Sequence, residues 1–233
     1  NKTIEGKNMS SFYKLNTNHP SNYVLSNVAD MAVETVWGIQ SVAHKQHKGL
    51  IAQVSDNISK GFLEDRGFET LYHTYFSKLN VRDYKGNPVI SILDLEDDLK
   101  HEVLLLLRDH YERINRVNPA SANIDYRQLT YNQASFDFEH SIVRLSRQHV
   151  VAAILIFQAQ EDYRLGWTFG DDVPTIIDLW HDLLGILPVG SVLYADFRDT
   201  DYLGMSVYHA FNWHRFDQPQ TTLLWRDNAN NLR

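Results

Sequence analysis

A strand–turn–helix pattern occurs twice in this chain, a domain length apart, and it constrains the fold more than any other feature. In the first copy, residues 50–54 are apolar except for Gln53, residues 55–57 supply turn and N-cap side chains, and the helical segment ends at Gly67. The second copy spans residues 191–213, with an acidic turn at residues 199–201. A period of this length predicts two similar domains rather than a solenoid of short repeats.

The helix of each copy resembles a motif of the GNAT N-acetyltransferases. Residues 56–68 match the family pattern D/N-x-x-[AS]-x-x-F-L-E-x-x-G-F, and residues 72–79 match the aromatic strand that follows it. The second copy is similar but carries Asn212 where the family has glycine; its matching positions are Asp201, Gly204, Val207, Tyr208 and Trp213. The resemblance implies a tandem chain of two GNAT-like units, as in some bacterial acetyltransferases. Because strand–turn–helix units are common, an unrelated α/β domain is the alternative.

The order of the predicted elements also resembles a GNAT domain. From residue 89 onward the sequence predicts helix, strand, strand, strand, helix, strand, helix and strand, including a helix over residues 95–117 and a strand over residues 163–169. A turn-rich linker at residues 83–88 precedes them. The expected fold is therefore α/β (mixed α+β), a twisted mixed sheet flanked by helices. We expect an incomplete or divergent unit at residues 1–88 and a fuller unit at residues 89–233, which the strand at residues 221–225 would finish.

The first unit lacks the glycine-rich loop with which the family binds phosphate. Residues 1–22 are polar and predict a mobile leader, followed by a strand at 23–28 and a helix at 31–47. In the family, the junction between such a strand and helix is a glycine-rich loop that holds the pyrophosphate of coenzyme A (CoA). Here residues 29–35 contain no glycine and carry two acidic side chains, so CoA binding by this unit is in doubt.

Composition excludes several classes of function. A formal net charge of −7 and a pI near 5.8 argue against nonspecific nucleic-acid binding, which requires clustered basic residues. With no cysteine, the chain has no disulfide and no thiolate zinc site, which is compatible with the cytoplasm. The longest apolar run, residues 150–157, is too short for a membrane span, and residues 1–18 lack a signal-peptide pattern. The histidines lack metal-ligand spacing, and hydrolase, Walker and Rossmann motifs are absent.

The GNAT resemblance implies a direct attack of an amine on an acetyl thioester, with acetyl-CoA as cosubstrate and no metal. The acetyl-CoA arm would pair with the backbone of the strand that contains Leu165, Gly166, Trp167, Thr168 and Phe169, next to Gly170 and Asp201. Tyr208 occupies the slot of the family's general acid, whereas the first unit has Leu63 there. Glu161 or Asp162 is a candidate base. For each, the alternative is a packing or solvent-exposed residue.

The predicted function is acetyl transfer from acetyl-CoA to a primary amine on a small molecule or peptide, and the family allows a homodimer. The alternative is a catalytically inactive CoA-binding or structural GNAT-like protein. It is motivated by the absence of a glycine-rich phosphate loop at residues 29–35, and by Asp171 and Asp172 in the corresponding loop of the second unit.

Overall fold

The computed structural model describes residues 9–227. By spatial proximity the chain forms two compact units. Among the described residues, unit 1 contains residues 9–74, the segment Asn115–Ile124 and residues 219–227. Unit 2 contains Tyr75–Ile114 and Asp125–Gln218. This division is not a single cut between residues 88 and 89, because each unit takes in segments from distant parts of the chain.

The described residues contain five α-helices and eleven β-strands. In chain order they are β1 (Tyr13–Leu15), β2 (Asn22–Leu25), α1 (Val33–Lys45), β3 (Gly49–Val54), α2 (Asn57–Glu64), β4 (Glu69–Asn80), β5 (Ile90–Ser91), α3 (Asp97–Ile114), β6 (Ile142–Ser146), β7 (His149–Ala159), β8 (Asp162–Gly170), α4 (Val173–Ile186), β9 (Val192–Arg198), α5 (Tyr202–Ala210), β10 (His214–Arg215) and β11 (Gln220–Trp225).

The sheet of unit 1 has the strand order β1-β2-β3-β11-β4, where β4 contributes its first half. Strands β2 and β3 are parallel, and the other pairs are antiparallel. The core contains Val36 and Ile39 of α1, Leu50 of β3, Leu63 of α2 and Leu223 of β11, all with 0% exposure. Helices α1 and α2 therefore bury their apolar sides in the same cluster as the sheet.

Helix α2 forms where the sequence predicts it, and its boundaries have local causes. The carboxylate of Asp56 accepts a hydrogen bond from the backbone N–H of Ser59 at 2.7 Å, which caps the first turn. At the other end Gly67 has φ +79°, and the N–H of Phe68 returns to the carbonyl of Leu63 at 3.2 Å. This is the left-handed glycine cap that the sequence indicates.

The sheet of unit 2 has the strand order β4-β9-β8-β7-β6-β5, and β10 pairs with β4 at Ser77 and Lys78. Successive residues of β7 point to opposite faces. Ala152, Ile154 and Ile156 pack in one apolar cluster with α4 and α5, whereas Ala153 and Leu155 pack in another with α3. The result is a mixed sheet flanked by helices on both faces, which confirms the predicted fold class.

Two sequence expectations about the ends of the chain are wrong. Residues 9–22 do not form a mobile leader: β1 pairs with β2, and Phe12 is buried in the core of unit 1 because a large aromatic side chain gains by leaving water. Residues 1–8 lie outside the described residues. Strand β11 completes unit 1 between β3 and β4, rather than finishing unit 2. In residues 9–227, no helix is long and apolar enough to cross a membrane.

Candidate functional site

The edge of β8 is the first feature of the candidate site. On one side β8 pairs with β7 along its whole length, from Asp162 to Gly170. On the other side it pairs in parallel with β9 only at Tyr163 and Arg164. Both strands continue beyond this point, so the sheet opens into a wedge between them. The backbone of β8 after Arg164 therefore has one edge without a paired strand, as the cofactor expectation requires.

The backbone direction within β8 identifies which groups face the wedge. The N–H of Asp171 donates to the carbonyl of Val151 on β7 at 3.0 Å. Because the backbone groups of successive residues point to opposite sides of a strand, Phe169 also faces β7, and the N–H and C=O of Thr168 face away from it. Thr168 thus offers one donor and one acceptor to a ligand that extends along β8.

A β-bulge lies where the two strands separate. The register between β7 and β8 shifts after Leu155, so that Trp167 opposes Leu155, Leu165 opposes Ile156, and Gly166 is the extra residue. A Cβ atom at Gly166 would come within 2.3 Å of the Phe157 ring. Bulges bend a strand and increase its local twist, so this bulge gives a local cause for the divergence of β8 from β9.

The side chain of Thr168 fixes the strand from the α4 face. Its hydroxyl oxygen accepts a hydrogen bond from Nε1 of Trp180 on α4 at 3.0 Å, and both side chains are buried. A buried indole N–H requires such a partner. The open edge is consequently held at its centre by a side-chain contact that sequence analysis did not predict.

Side chains of the loop between β8 and α4 form hydrogen bonds with the first turn of α4. Asp172 is the N-cap of α4, where Oδ1 accepts from the N–H of Thr175 at 2.8 Å and Oδ2 accepts from the Thr175 hydroxyl at 3.0 Å. Pro174 stands in the first turn and has no N–H. The N–H of Thr175, at the N-terminus of α4, is therefore already bonded to an anionic group of the chain itself.

Tyr208 is half-buried on α5, and its hydroxyl has a partner within the chain. Nε of Arg215 donates to the Tyr208 hydroxyl oxygen at 3.0 Å. The Tyr208 ring stacks on Tyr75 of β4 at 6.0 Å between centroids and packs on Phe197 of β9 at 5.4 Å. Arginine can only donate, so the phenol oxygen accepts here and its own proton remains available to another acceptor.

The predicted base candidates, Glu161 and Asp162, lie at the opposite end of β8 from Thr168. Glu161 is exposed in the turn between β7 and β8. Asp162 accepts a hydrogen bond from the N–H of Val192 at 2.8 Å, which ties β8 to the start of β9. At a strand rise of about 3.3 Å per residue, Glu161 is roughly 20 Å along the chain from Thr168.

A buried histidine lies near the far end of β8, and sequence analysis did not single it out. His110 of α3 is 3% exposed, its ring packs on Phe169 at 5.8 Å, and its Nε2 lies 3.8 Å from Oδ2 of Asp201. Nη2 of Arg113 donates to its Nδ1 at 3.1 Å, so the neutral ring carries its proton on Nε2, towards Asp201. Burial lowers the pKa of His110, the Asp201 carboxylate raises it, and Arg113 and Arg198 lower it further.

Unit 1 contains the corresponding pair of parallel strands without an open edge. Strand β2 pairs with β3 at Asn22, Tyr23 and Val24, and with β1 at Tyr23, Val24 and Leu25. A ligand strand has no place beside it. Among residues 9–227 there is also no cluster of three or more side chains suited to hold a metal ion.

Comparison with solved structures shows what this architecture resembles. The chain is similar to a GCN5-related N-acetyltransferase from Sphaerobacter thermophilus, with 10% identity, a TM-score of 0.62, and coverage of 92% of this chain and 76% of that one. A GCN5-related N-acetyltransferase from Anabaena variabilis ATCC 29413 has 8% identity, a TM-score of 0.55, and coverage of 91% and 57%. One from Kribbella flavida has 12% identity, a TM-score of 0.50, and coverage of 97% and 94%.

No family model and no curated protein matches the chain. The structural likeness defines the class of fold, which is that of the GCN5-related N-acetyltransferases. At these identities the likeness extends to the fold alone, so activity has to be argued from the site.

Proposed function

We propose that unit 2 transfers an acyl group from a thioester to a primary amine, with the thioester arm extended along the open edge of β8. The observation that carries this proposal is the loss of β8–β9 pairing after Arg164 while both strands continue. An unpaired backbone edge binds extended ligands as an added strand would. Acetyl is the acyl group that the names of the structural neighbours suggest.

We further infer that the chain contains two GNAT-like units. Both units contain a pair of parallel strands joined by a helix and followed by a second helix: β2-α1-β3-α2 in unit 1 and β8-α4-β9-α5 in unit 2. Because β2 is paired on both sides, we assign the chemistry to unit 2 and a structural role to unit 1.

The proposed reaction needs few catalytic groups. The amine nitrogen attacks the thioester carbonyl carbon, so a C–N bond forms and the C–S bond breaks. The proton on the amine nitrogen passes to water, and the leaving thiolate takes a proton from the Tyr208 hydroxyl, whose phenolate then regains a proton from water. Arg215 supports this role because its hydrogen bond to the phenol oxygen leaves the phenol proton free. Holding the two reactants together supplies much of the rate enhancement.

Charge near the wedge suits a cationic acceptor. Asp201 lies beside His110, whose ring contacts Phe169 of β8. Carboxylates attract a protonated amine before it loses its proton for the attack. The predicted acceptor is therefore a primary amine, on a small molecule or a peptide.

Two measurements test the proposed function. Calorimetric titration with S-acetylpantetheine and with acetyl-CoA should show binding of at least one thioester. A chain that binds neither at millimolar concentration would instead be a structural protein with this fold.

The second measurement is turnover of a bound thioester with a primary amine. Tyr208→Phe should lower turnover by about 10²-fold with thioester affinity unchanged. Tyr75→Phe is the matched control, because it keeps the stacked ring and should leave turnover unchanged. Equal turnover in the Tyr208→Phe variant and the wild type would remove Tyr208 from the mechanism.

A further inference from the structure

A donor bound along β8 would reach the start of α4, because α4 follows β8 after a short loop. Strand β8 ends at Gly170 and α4 begins at Val173. A thioester arm that pairs with Thr168 and extends towards the end of β8 reaches Asp171 after roughly 10 Å. In coenzyme A the pantetheine arm continues into a diphosphate, so residues 170–175 decide whether a diphosphate is accepted there.

The backbone donors that would bind a diphosphate are largely committed or missing. A helix N-terminus binds phosphate through free N–H groups. Here the N–H of Asp171 donates to Val151, the N–H of Thr175 donates to Asp172, and Pro174 has none. Only part of the usual set of donors remains for a ligand.

Charge opposes a diphosphate at the same place. Asp171 and Asp172 are exposed, and Asp172 lies at the N-terminus of α4, where a phosphate group would otherwise sit. Between Leu165 and Arg198, a segment that spans the rest of β8, α4 and β9, the one lysine or arginine is Arg198, the last residue of β9, whose charge lowers the pKa of His110. The open edge of β8 fits a thioester arm, but the loop after it does not fit the diphosphate of acetyl-CoA.

We infer that the donor bound along β8 is an acyl thioester of the pantetheine type that carries no diphosphate beyond its arm, and that Asp171 and Asp172 determine this specificity. The inference rests on the proposed function, because it concerns the donor of that same site. The two carboxylates repel a diphosphate, and the cap formed by Asp172 occupies the helix terminus that would hold it. A donor that ends before the diphosphate meets neither obstacle.

The test compares S-acetylpantetheine with acetyl-CoA by calorimetry on the full chain, at low and high salt. We expect S-acetylpantetheine to bind at least as tightly as acetyl-CoA. The affinity for acetyl-CoA should rise with salt, because salt screens repulsion between like charges, while the affinity for the uncharged thioester stays constant.

A double variant, Asp171→Asn with Asp172→Asn, isolates the charge. Asparagine is as good an N-cap as aspartate, so α4 keeps its cap while both charges are lost. We expect acetyl-CoA to bind about 10-fold more tightly to this variant, with S-acetylpantetheine unchanged. Asp178→Asn, which removes an exposed charge further along α4, is the matched control and should change neither affinity.

The outcomes separate the two proposals. If wild-type protein binds acetyl-CoA 10-fold more tightly than S-acetylpantetheine, the specificity inference is wrong and the proposed function stands. If the double variant leaves acetyl-CoA affinity unchanged, Asp171 and Asp172 do not determine the donor specificity, and that part of the inference is wrong. If neither thioester binds, the proposed function itself fails.

Discussion

The hydrogen bond between Trp180 and Thr168 allows a quantitative test of how the open edge is held. In Thr168→Val the shape of the side chain is retained, but Nε1 of Trp180 loses its acceptor in a buried environment. Leaving a buried donor unsatisfied costs about 1–3 kcal/mol in the free energy of unfolding. For a chain of this size, about 2–4 °C per kcal/mol gives a fall in melting temperature of roughly 2–12 °C.

The assay is urea denaturation followed by circular dichroism, with Thr168→Ser as the matched control because serine keeps the hydroxyl acceptor. A double-mutant cycle with Trp180→Phe separates the hydrogen bond from the cavity that the smaller ring leaves. We expect Thr168→Val to cost less in the Trp180→Phe background than in the wild type, because the donor is then absent. Equal costs in both backgrounds, or a Thr168→Val variant as stable as wild type, would refute the reasoning.

Three further predictions follow from contacts in both units. Burial lowers the pKa of His110 below its usual 6.5, so just below pH 6.5 the unfolded chain binds more protons than the folded chain. The melting temperature should therefore fall as the pH is lowered through this range, and it should fall less steeply in His110→Phe. Gly166→Ala should lower the melting temperature because its Cβ meets the Phe157 ring, whereas Gly61→Ala in α2 meets nothing within 4 Å and should stabilise by about 0.5–1 kcal/mol. Asp182→Ala should lower the denaturation midpoint, because this 1%-exposed carboxylate accepts hydrogen bonds from Asn87 and Arg144; an unchanged midpoint would show that these contacts do not contribute.

The local elements of the fold could be predicted from sequence because their causes are local. The N-cap at Asp56 and the positive φ at Gly67 both follow from side chains within a few residues. In each case a short stretch of residues determines the backbone without reference to distant segments.

Strand pairing could not be predicted in the same way, because it depends on segments far apart in the chain. The residues of β11 have an ordinary β-strand composition, which is compatible with either sheet, and the structure places them between β3 and β4. Strand β4 likewise reads as one continuous strand, although its first half belongs to unit 1 and its second half to unit 2. Apolar alternation identifies a strand but does not identify its neighbours.

The candidate site was predictable only as far as the family resemblance reached. The resemblance indicated β8 and Tyr208, but not the group that each of them contacts. Trp180 at Thr168, Arg215 at Tyr208 and His110 at Asp201 are each separated in sequence from their partners and carry no motif. A single arginine or histidine between apolar residues is more often a packing or surface residue, so only the structure could bring these pairs together.

The wedge between β8 and β9 has an energetic implication that supports a binding role. An unpaired backbone edge inside a sheet forfeits hydrogen bonds that two adjacent strands would otherwise make. Neither strand ends at the point of separation, since β8 continues to Gly170 and β9 to Arg198, so chain length does not explain the loss. The bulge at Gly166 bends β8 where the pairing stops, and the contact between Thr168 and Trp180 holds the bent strand in place. The parallel strands β2 and β3 of unit 1, by contrast, pair continuously over three consecutive residues. The open edge is therefore a specific feature of unit 2, built by local contacts, and an extended ligand paired with Thr168 would recover the hydrogen bonds that the divergence of the strands gives up.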